Sequence, residues 1–170
     1  MNGAQSQSRP STDPASQPHR GKLNFWRWFW LGTIPVSLVW VWYDFYVPSN
    51  HVSWAKDYAS AQQRAAQSGK PIIHFFTAKW CVPCRIMKRS VWADKPVEAT
   101  VEAGFTLVMI DLDDPNAAET VSRYRVVATP TTIIIDPKGN VLKRVEVGMG
   151  KMDFLKLLGN LNPSGAPLMP

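Results

Sequence analysis

The sequence predicts an α/β fold: a central mixed β-sheet with helices on both faces, preceded by one amino-terminal apolar helix. Three observations predict it. From residue 51 to residue 161, helix-period and β-prone segments follow one another in the order αβαβαββα, the pattern of a sheet covered on both sides. The last two β-prone runs are separated only by Pro137-Lys138-Gly139-Asn140, a turn that makes them antiparallel neighbours. Ahead of this region, no charged residue lies between Arg27 and Asp44, an apolar stretch of membrane-spanning length.

With 170 residues, the chain has room for one domain and its appendages. Residues 1–24 are rich in Ser, Gln, Pro and Asn. So little apolar surface cannot offset the entropy of ordering, and a disordered tail is expected. Residues 25–47 are expected to form a transmembrane anchor. A helix over that span is roughly 30–35 Å long, enough for a bilayer core. Trp26, Trp28 and Trp30 cluster at one end and Trp40, Trp42, Tyr43 and Tyr46 at the other, where interfacial belts form. Pro35 is tolerated inside a membrane helix. Arg9, Arg20, Lys22 and Arg27 all precede the span, which by the positive-inside rule leaves the amino terminus in the cytoplasm. The following domain then lies outside it, in a periplasm-like space if the cell has two membranes. A cleaved signal peptide is the competing reading, but Tyr-Asp-Phe-Tyr-Val-Pro follows the apolar core in place of a small-residue cleavage site.

Within the folded region, Ser53 is a candidate cap for a helix reaching Gln67, stopped by Gly69 and Pro71. Residues 72–77 read as a strand, Ile-Ile-His-Phe-Phe-Thr. A helix starts at Pro83, and Asp94-Lys95-Pro96 restarts one that ends at Gly104. Residues 105–111 read as a strand and residues 116–124 as a helix. Residues 131–136 and 141–147 make the closing hairpin. Residues 151–161 form a final amphipathic helix, with Met152, Leu155 and Leu158 as its apolar stripe. The Pro/Gly-rich segment 162–170 is expected to be a flexible tail.

Composition excludes some functions. The net charge is +6, but residues 1–27 hold four Arg/Lys against one Asp, and residues 51–170 hold fifteen against eleven acidic residues. The folded part is therefore only mildly basic, with no stripe of interleaved aromatics, so nucleic acid is not an expected partner. Zinc needs about four nitrogen or sulfur ligands close in space. Only two cysteines exist, and His19, His51 and His74 lack ligand spacing. No metal or organic cofactor is expected.

Those two cysteines form Cys81-Val82-Pro83-Cys84, preceded by Trp80. A bridge over so short a loop removes little unfolded-chain entropy, so it is a poor staple. It is a good redox switch if the first sulfur is accessible and its pKa is lowered. A β-prone run leads into the pair and a helical pattern leads out of it, which is the thioredoxin-like context. Cys81 at a helix amino terminus meets free N–H groups and the positive end of the dipole, both favouring a thiolate. Lys79 and Arg85 are close in sequence, either as added positive charge or as plain solvated residues.

Residues 71–148 resemble the thioredoxin fold, a three-layer α/β/α sandwich. The resemblance rests on Trp80-Cys81-Val82-Pro83-Cys84, Asp111-Leu112-Asp113-Asp114-Pro115-Asn116, Thr129-Pro130-Thr131 and Gly148. Lys70-Pro71, Thr77-Ala78-Lys79-Trp80-Cys81 and Val91-Trp92-Ala93-Asp94 are most similar to the carboxy-terminal thioredoxin domain of membrane thiol:disulfide interchange proteins. The resemblance implies that Pro130 is a cis-Pro facing the cysteines, and that the Thr129 backbone can pair with an extended substrate. It implies Cys81 as nucleophile, Cys84 as resolving thiol, and Trp80, Val82 and Pro83 as substrate-contacting residues. One departure stands out. Many family members place a buried Asp six residues before the first cysteine, with a Lys partner. Here those positions hold Phe75 and Met109. Replacing both is coherent, because removing only one strands a buried charge. It leaves water or a substrate group as the expected proton acceptor. His74 should point to the opposite sheet face and pack there.

The expected activity is thiol-disulfide exchange on protein substrates, with Val82-Pro83 leaning towards reduction by family resemblance and a membrane electron donor to recharge the pair. An oxidase or isomerase shares the chemistry. A non-catalytic binding module with the same fold is the reading from a different class.

Overall fold

The computed structural model describes residues 20–161, with side chains from residue 25 onward. The tails expected at residues 1–19 and 162–170 lie outside the described residues. The chain divides into two units, one ending at Phe45 and the other starting at Tyr46.

The first unit contains α1 (Arg20–Phe45), 26 residues with Pro35 inside. It starts five residues before the anchor expected from sequence. Apolar side chains are exposed around it, from Phe25 and Trp28 to Trp40 and Phe45. Its two hydroxyls bond the helix's own carbonyls, Thr33 Oγ1 to Phe29 O at 2.9 Å and Ser37 Oγ to Ile34 O at 2.8 Å. Even so, no helix among the described residues is long and apolar enough to cross a membrane. The length of α1 suffices; its five tryptophans, with Gly32, Thr33, Pro35 and Ser37, hold down its mean hydropathy.

The second unit contains β1 (Trp54–Ala55), α2 (Tyr58–Ser68), β2 (Ile72–Thr77), α3 (Val82–Met87), α4 (Lys95–Gly104), β3 (Thr106–Asp111), α5 (Ala118–Arg123), β4 (Thr131–Ile135), β5 (Val141–Val145) and α6 (Lys151–Leu161). The sheet order is β1-β3-β2-β4-β5. β1, β3 and β2 are parallel, while β4 and β5 are antiparallel to their neighbours. This is the expected mixed sheet. β2 and β4 are buried at every position, as central strands covered on both faces must be. β5 is the exposed edge, where Lys143 and Arg144 discourage further pairing.

Two apolar layers result. One packs Ile73, Phe75, Leu107 and Ile134 of the sheet against Cys84, Met87 and Trp92, Val97 and Val101 of α4, and Phe154 and Leu158 of α6. The other packs Ile72, Phe76, Val108, Ile133 and Ile135 against Ala61 and Ala65 of α2, and Ala117.

Several boundaries differ from the sequence reading, each for a local reason. Ser53 does not cap α2. Asp57 does, in a reciprocal capping box with Ser60. Ser53 instead donates its N–H to the Glu102 carboxylate, and the following two residues form β1, too short to show a period. Gly69 ends α2 in the left-handed conformation, as the stop signal predicted. α3 starts at Val82, one residue before Pro83, and runs into a π-turn over Lys88–Trp92. Phe105 is the cap of α4 with its ring in the core, so β3 begins at Thr106. Asp114 caps a 3₁₀ turn, Pro115–Ala117, ahead of α5. β4 and β5 end at Ile135 and Val145, short of residues 136 and 147; the Asp136 carboxylate is spent on Lys138 and Asn140 in the turn. On α6 the buried stripe is Phe154 and Leu158, and Met152 is 73% exposed.

Candidate active site

Strand β2 delivers the chain to the cysteines. After Thr77, Leu112 N–H bonds Thr77 O at 2.8 Å, tying the ends of β2 and β3 together. The chain then turns through residues 78–80 and enters α3 with Cys81 as N-cap. Cys81 Sγ accepts the Cys84 backbone N–H at 3.2 Å, one of the donors that a helix start leaves without an internal partner. The cysteines form a disulfide, with S–S 2.01 Å and Cα–Cα 5.3 Å.

Cys81 is 2% exposed and Cys84 0%. The first cysteine was expected to be the accessible one. It has the greater exposure, yet the bridged pair is nearly closed off from water. What is exposed around it is apolar: Trp80 at 67% and Val82 at 47%.

Trp80 is held by a residue that the sequence reading did not assign. Asp113 Oδ1 accepts the indole N–H at 3.2 Å, and Oδ2 accepts Lys79 N–H at 3.1 Å. Asp113 is in turn fixed by its own N–H on Asp111 Oδ1 at 3.0 Å. The signal was present in the Asp-x-Asp run: an exposed indole has one donor, and a carboxylate just beyond β3 is within reach of it.

Pro130 lies beside the cysteine loop, and the Thr129–Pro130 bond is cis, as the resemblance implied. Gly148 identifies the neighbourhood. A Cβ built on it would lie 3.7 Å from Pro130 Cγ and 3.9 Å from Pro83 Cβ. One small residue after β5 thus rests against both prolines. Pro130 and Pro83, far apart in sequence, thus meet at Gly148.

Phe75 and Met109, at the positions where the resemblance implied a buried Asp and Lys, are both apolar and in register on β2 and β3. Phe75 is fully buried in the layer that holds Cys84, its ring 5.3 Å from that of Trp92. Among the described residues no carboxylate is buried. Lys88, at the start of the π-turn after α3, is half-buried and lowered in pKa by burial, a shift that Asp111 partly opposes. His74 is buried on the opposite face, against Tyr58 and Tyr124, as expected. No group of metal-ligating side chains occurs among the described residues.

Comparison with known proteins agrees with this geometry. Residues 58–162 match the family described as thioredoxin-like domain. The chain is 29% identical over 121 residues to the thiol:disulfide interchange protein DsbD 1 of Pseudomonas aeruginosa, covering 67% of this chain and 20% of that protein. It thus spans about a fifth of that relative. It is 30% identical over 106 residues to the thioredoxin of Mycobacterium tuberculosis, covering 62% of this chain and 86% of that one. Among solved structures, a thioredoxin from Thermus thermophilus superposes with a TM-score of 0.61 at 28% identity, covering 68% of this chain and 90% of that chain. With its Cys81–Cys84 disulfide at the start of α3 and its cis Thr129–Pro130 bond, the chain belongs to the thioredoxin-like domain family.

Proposed function

We propose that this chain is a membrane-anchored, extracytoplasmic reductase of protein disulfides. The observation that carries the redox reading is the Cys81 sulfur at the start of α3, accepting the Cys84 N–H beneath exposed Trp80 and Val82. In the reduced protein the same N–H and the helix dipole stabilise a Cys81 thiolate. That thiolate attacks one sulfur of a substrate disulfide. The substrate S–S bond breaks, one substrate sulfur leaves as a thiol after protonation by water, and a mixed disulfide forms on Cys81. Cys84, deprotonated by water or a substrate group, then attacks Cys81 Sγ. The second substrate thiol leaves, and two electrons have passed from the protein to the substrate as the Cys81–Cys84 bond forms. Trp80, Val82, Pro83 and the Thr129 backbone receive the substrate segment. A membrane dithiol donor reverses the change.

The anchor reading is supported by α1. Its exposed tryptophans and phenylalanines are a poor surface for water, its hydroxyls are turned onto its own backbone, and it is uncharged from Trp28 to Tyr43. Arg9, Arg20, Lys22 and Arg27 precede that uncharged run, which supports a cytoplasmic amino terminus.

The direction of electron flow is tested by the reduction potential of the full chain in detergent micelles. A value near or below about −220 mV supports the reductase; one near about −120 mV makes it an oxidant. Alkaline extraction of the membrane fraction tests the anchor, and release of the chain into the supernatant would refute it.

A further inference from the structure

The redox chemistry above uses the loop of residues 126–130, which ends in the cis Thr129–Pro130 bond. We propose that Arg144 on β5 is the positioning residue for this loop, so that Arg144 governs how protein substrates are received. This rests on the reductase reading for its substrate and on the geometry alone for its mechanism.

The loop begins at the end of α5. There Val126 N–H bonds Val121 O and Arg125 N–H bonds Ser122 O, both at 3.0 Å. This pair of bonds is the Schellman ending, whose left-handed position normally carries Gly. Here it carries Arg125 at φ +49°, the one non-glycine residue with positive φ among the described residues. A side chain at that position makes the ending intrinsically less favourable. The ending also leaves the carbonyls of Tyr124 and Arg125 at the negative end of the helix, in need of donors.

Arg144 supplies them. Its Nη1 donates to Tyr124 O at 2.5 Å and its Nη2 to Arg125 O at 3.0 Å. Its Nε donates to Glu146 Oε1 at 2.5 Å, which fixes the guanidinium plane. A planar fork can meet three acceptors at once; a lysine ammonium cannot match that arrangement. The same strand leads to the far end of the loop, where Gly148 rests against Pro130. The loop is therefore tied to the β5 segment at both ends. Between them Val126 is buried, Val127 is 86% exposed, and Thr131 Oγ1 holds Ala128 O at 2.7 Å. Loss of the fork frees the left-handed turn to relax and lets residues 127–129 drift from the cysteines.

The test uses the full chain in detergent, comparing wild type with Arg144→Met, Arg144→Lys and Arg144→Met/Arg125→Gly. The substrates are insulin and a small aromatic disulfide. Arg144→Met should raise KM for insulin roughly tenfold with kcat within about twofold, because a misplaced binding edge costs orientation more than chemistry. The small disulfide, which needs no loop, should react at an unchanged rate, and the Cys81–Cys84 potential should not move. Arg144→Lys, the conservative replacement, should fall between. Arg125→Gly in the Arg144→Met background should recover most of the insulin KM, since Gly takes the left-handed turn unaided. An unchanged insulin KM, or equal slowing of both substrates, overturns the assignment. Amide hydrogen exchange needs no substrate. The Arg125 and Val126 amides, which make the two bonds of the turn, should exchange about tenfold faster in Arg144→Met with β2 unchanged, and equal exchange also overturns it. A wild type that reduces no insulin sinks the reductase reading while leaving the exchange result to decide the role of Arg144.

Discussion

Phe75 and Met109 stand in register on the neighbouring parallel strands β2 and β3, the two positions where the resemblance implied a buried ion pair. Phe75 is fully buried and 5.3 Å from the Trp92 ring; Met109 packs against the same layer. Their pairing explains why neither charge can return alone. Phe75→Asp buries a carboxylate without a partner and should cost on the order of 3–5 kcal/mol. Adding Met109→Lys should recover part of that, because the two positions are direct neighbours. Urea unfolding of the four corners of this cycle gives the coupling, and additive costs would show that the positions do not interact. If the double variant folds, stopped-flow release of a mixed disulfide tests whether a carboxylate there speeds Cys84. No acceleration would count against a missing base.

Asp113 and Trp80 offer a second test. The Asp113 carboxylate takes the indole N–H and the Lys79 N–H together, so Asp113→Ala releases both. The site is exposed, so the stability cost should be small, about 1 kcal/mol. The larger effect should be on the ring, whose orientation over the cysteines is no longer fixed. Trp80 fluorescence anisotropy should fall, and insulin reduction should slow by roughly three- to tenfold, mostly through KM. Unchanged turnover would mean that the ring orientation plays no part in substrate contact.

The layered fold was readable because its strands announce themselves. Ile72-Ile73-His74-Phe75-Phe76-Thr77 is buried throughout, and such a run between Pro71 and a helix start has few alternatives. The cysteine pair and Pro130 were readable through motifs. Other features have no linear signal. β1 is two residues long and exists only through its pairing with Leu107 and Val108. On α6 the expected Leu158 is buried and Leu155 packs against the same core, but Met152 is exposed and Phe154 fills the place against Trp92, with ring centroids 4.9 Å apart. The fork of Arg144 on Tyr124 and Arg125 joins residues about twenty positions apart, and an exposed strand arginine in sequence looks like any solvated charge. Charge partners reached through tertiary structure are what a period-based reading misses.

Replacing Cys84 tests the assignment of the two sulfurs. Cys81 is the N-cap of α3 and has the greater exposure, while Cys84 is fully enclosed. Cys84→Ala should leave Cys81 able to attack but unable to let go, so mixed disulfides accumulate and are released by added dithiol. Cys81→Ala should trap nothing. Non-reducing gels of the two variants after incubation with oxidised insulin read this directly. Trapping through Cys84 in the Cys81→Ala variant, with none in the other, would reverse the roles.

His74 makes stability depend on pH on the face of the sheet that takes no part in catalysis. It is fully buried, and neither ring nitrogen has a hydrogen-bond partner among the described residues. Its neighbours are aromatic: Tyr58, Tyr124 and Phe76, at centroid distances of 5.4, 5.1 and 6.1 Å. The two phenols bond each other at 3.2 Å, and burial raises the Tyr124 phenol, so neither supplies an anion. Burial therefore lowers the His74 pKa from 6.5 to about 4. An imidazole depressed in the folded state is bound by a proton first in the unfolded chain. Stability is then fully present above about pH 6.5 and is lost as the pH falls towards 4, by about 3 kcal/mol in all. Asp57, lowered from 3.8 by its capping hydrogen bonds with Ser60, and Asp136, lowered by its hydrogen bonds with Asn140 in the β4–β5 turn, add their own acid dependence only below that window. Urea midpoints at pH 7.0 and 4.5 separate the two effects. His74→Leu should flatten the curve between these pH values and, by removing an unsatisfied buried polar ring, should not destabilise the protein at pH 7 by more than about 1 kcal/mol. A slope that survives His74→Leu would move the acid sensitivity to another group.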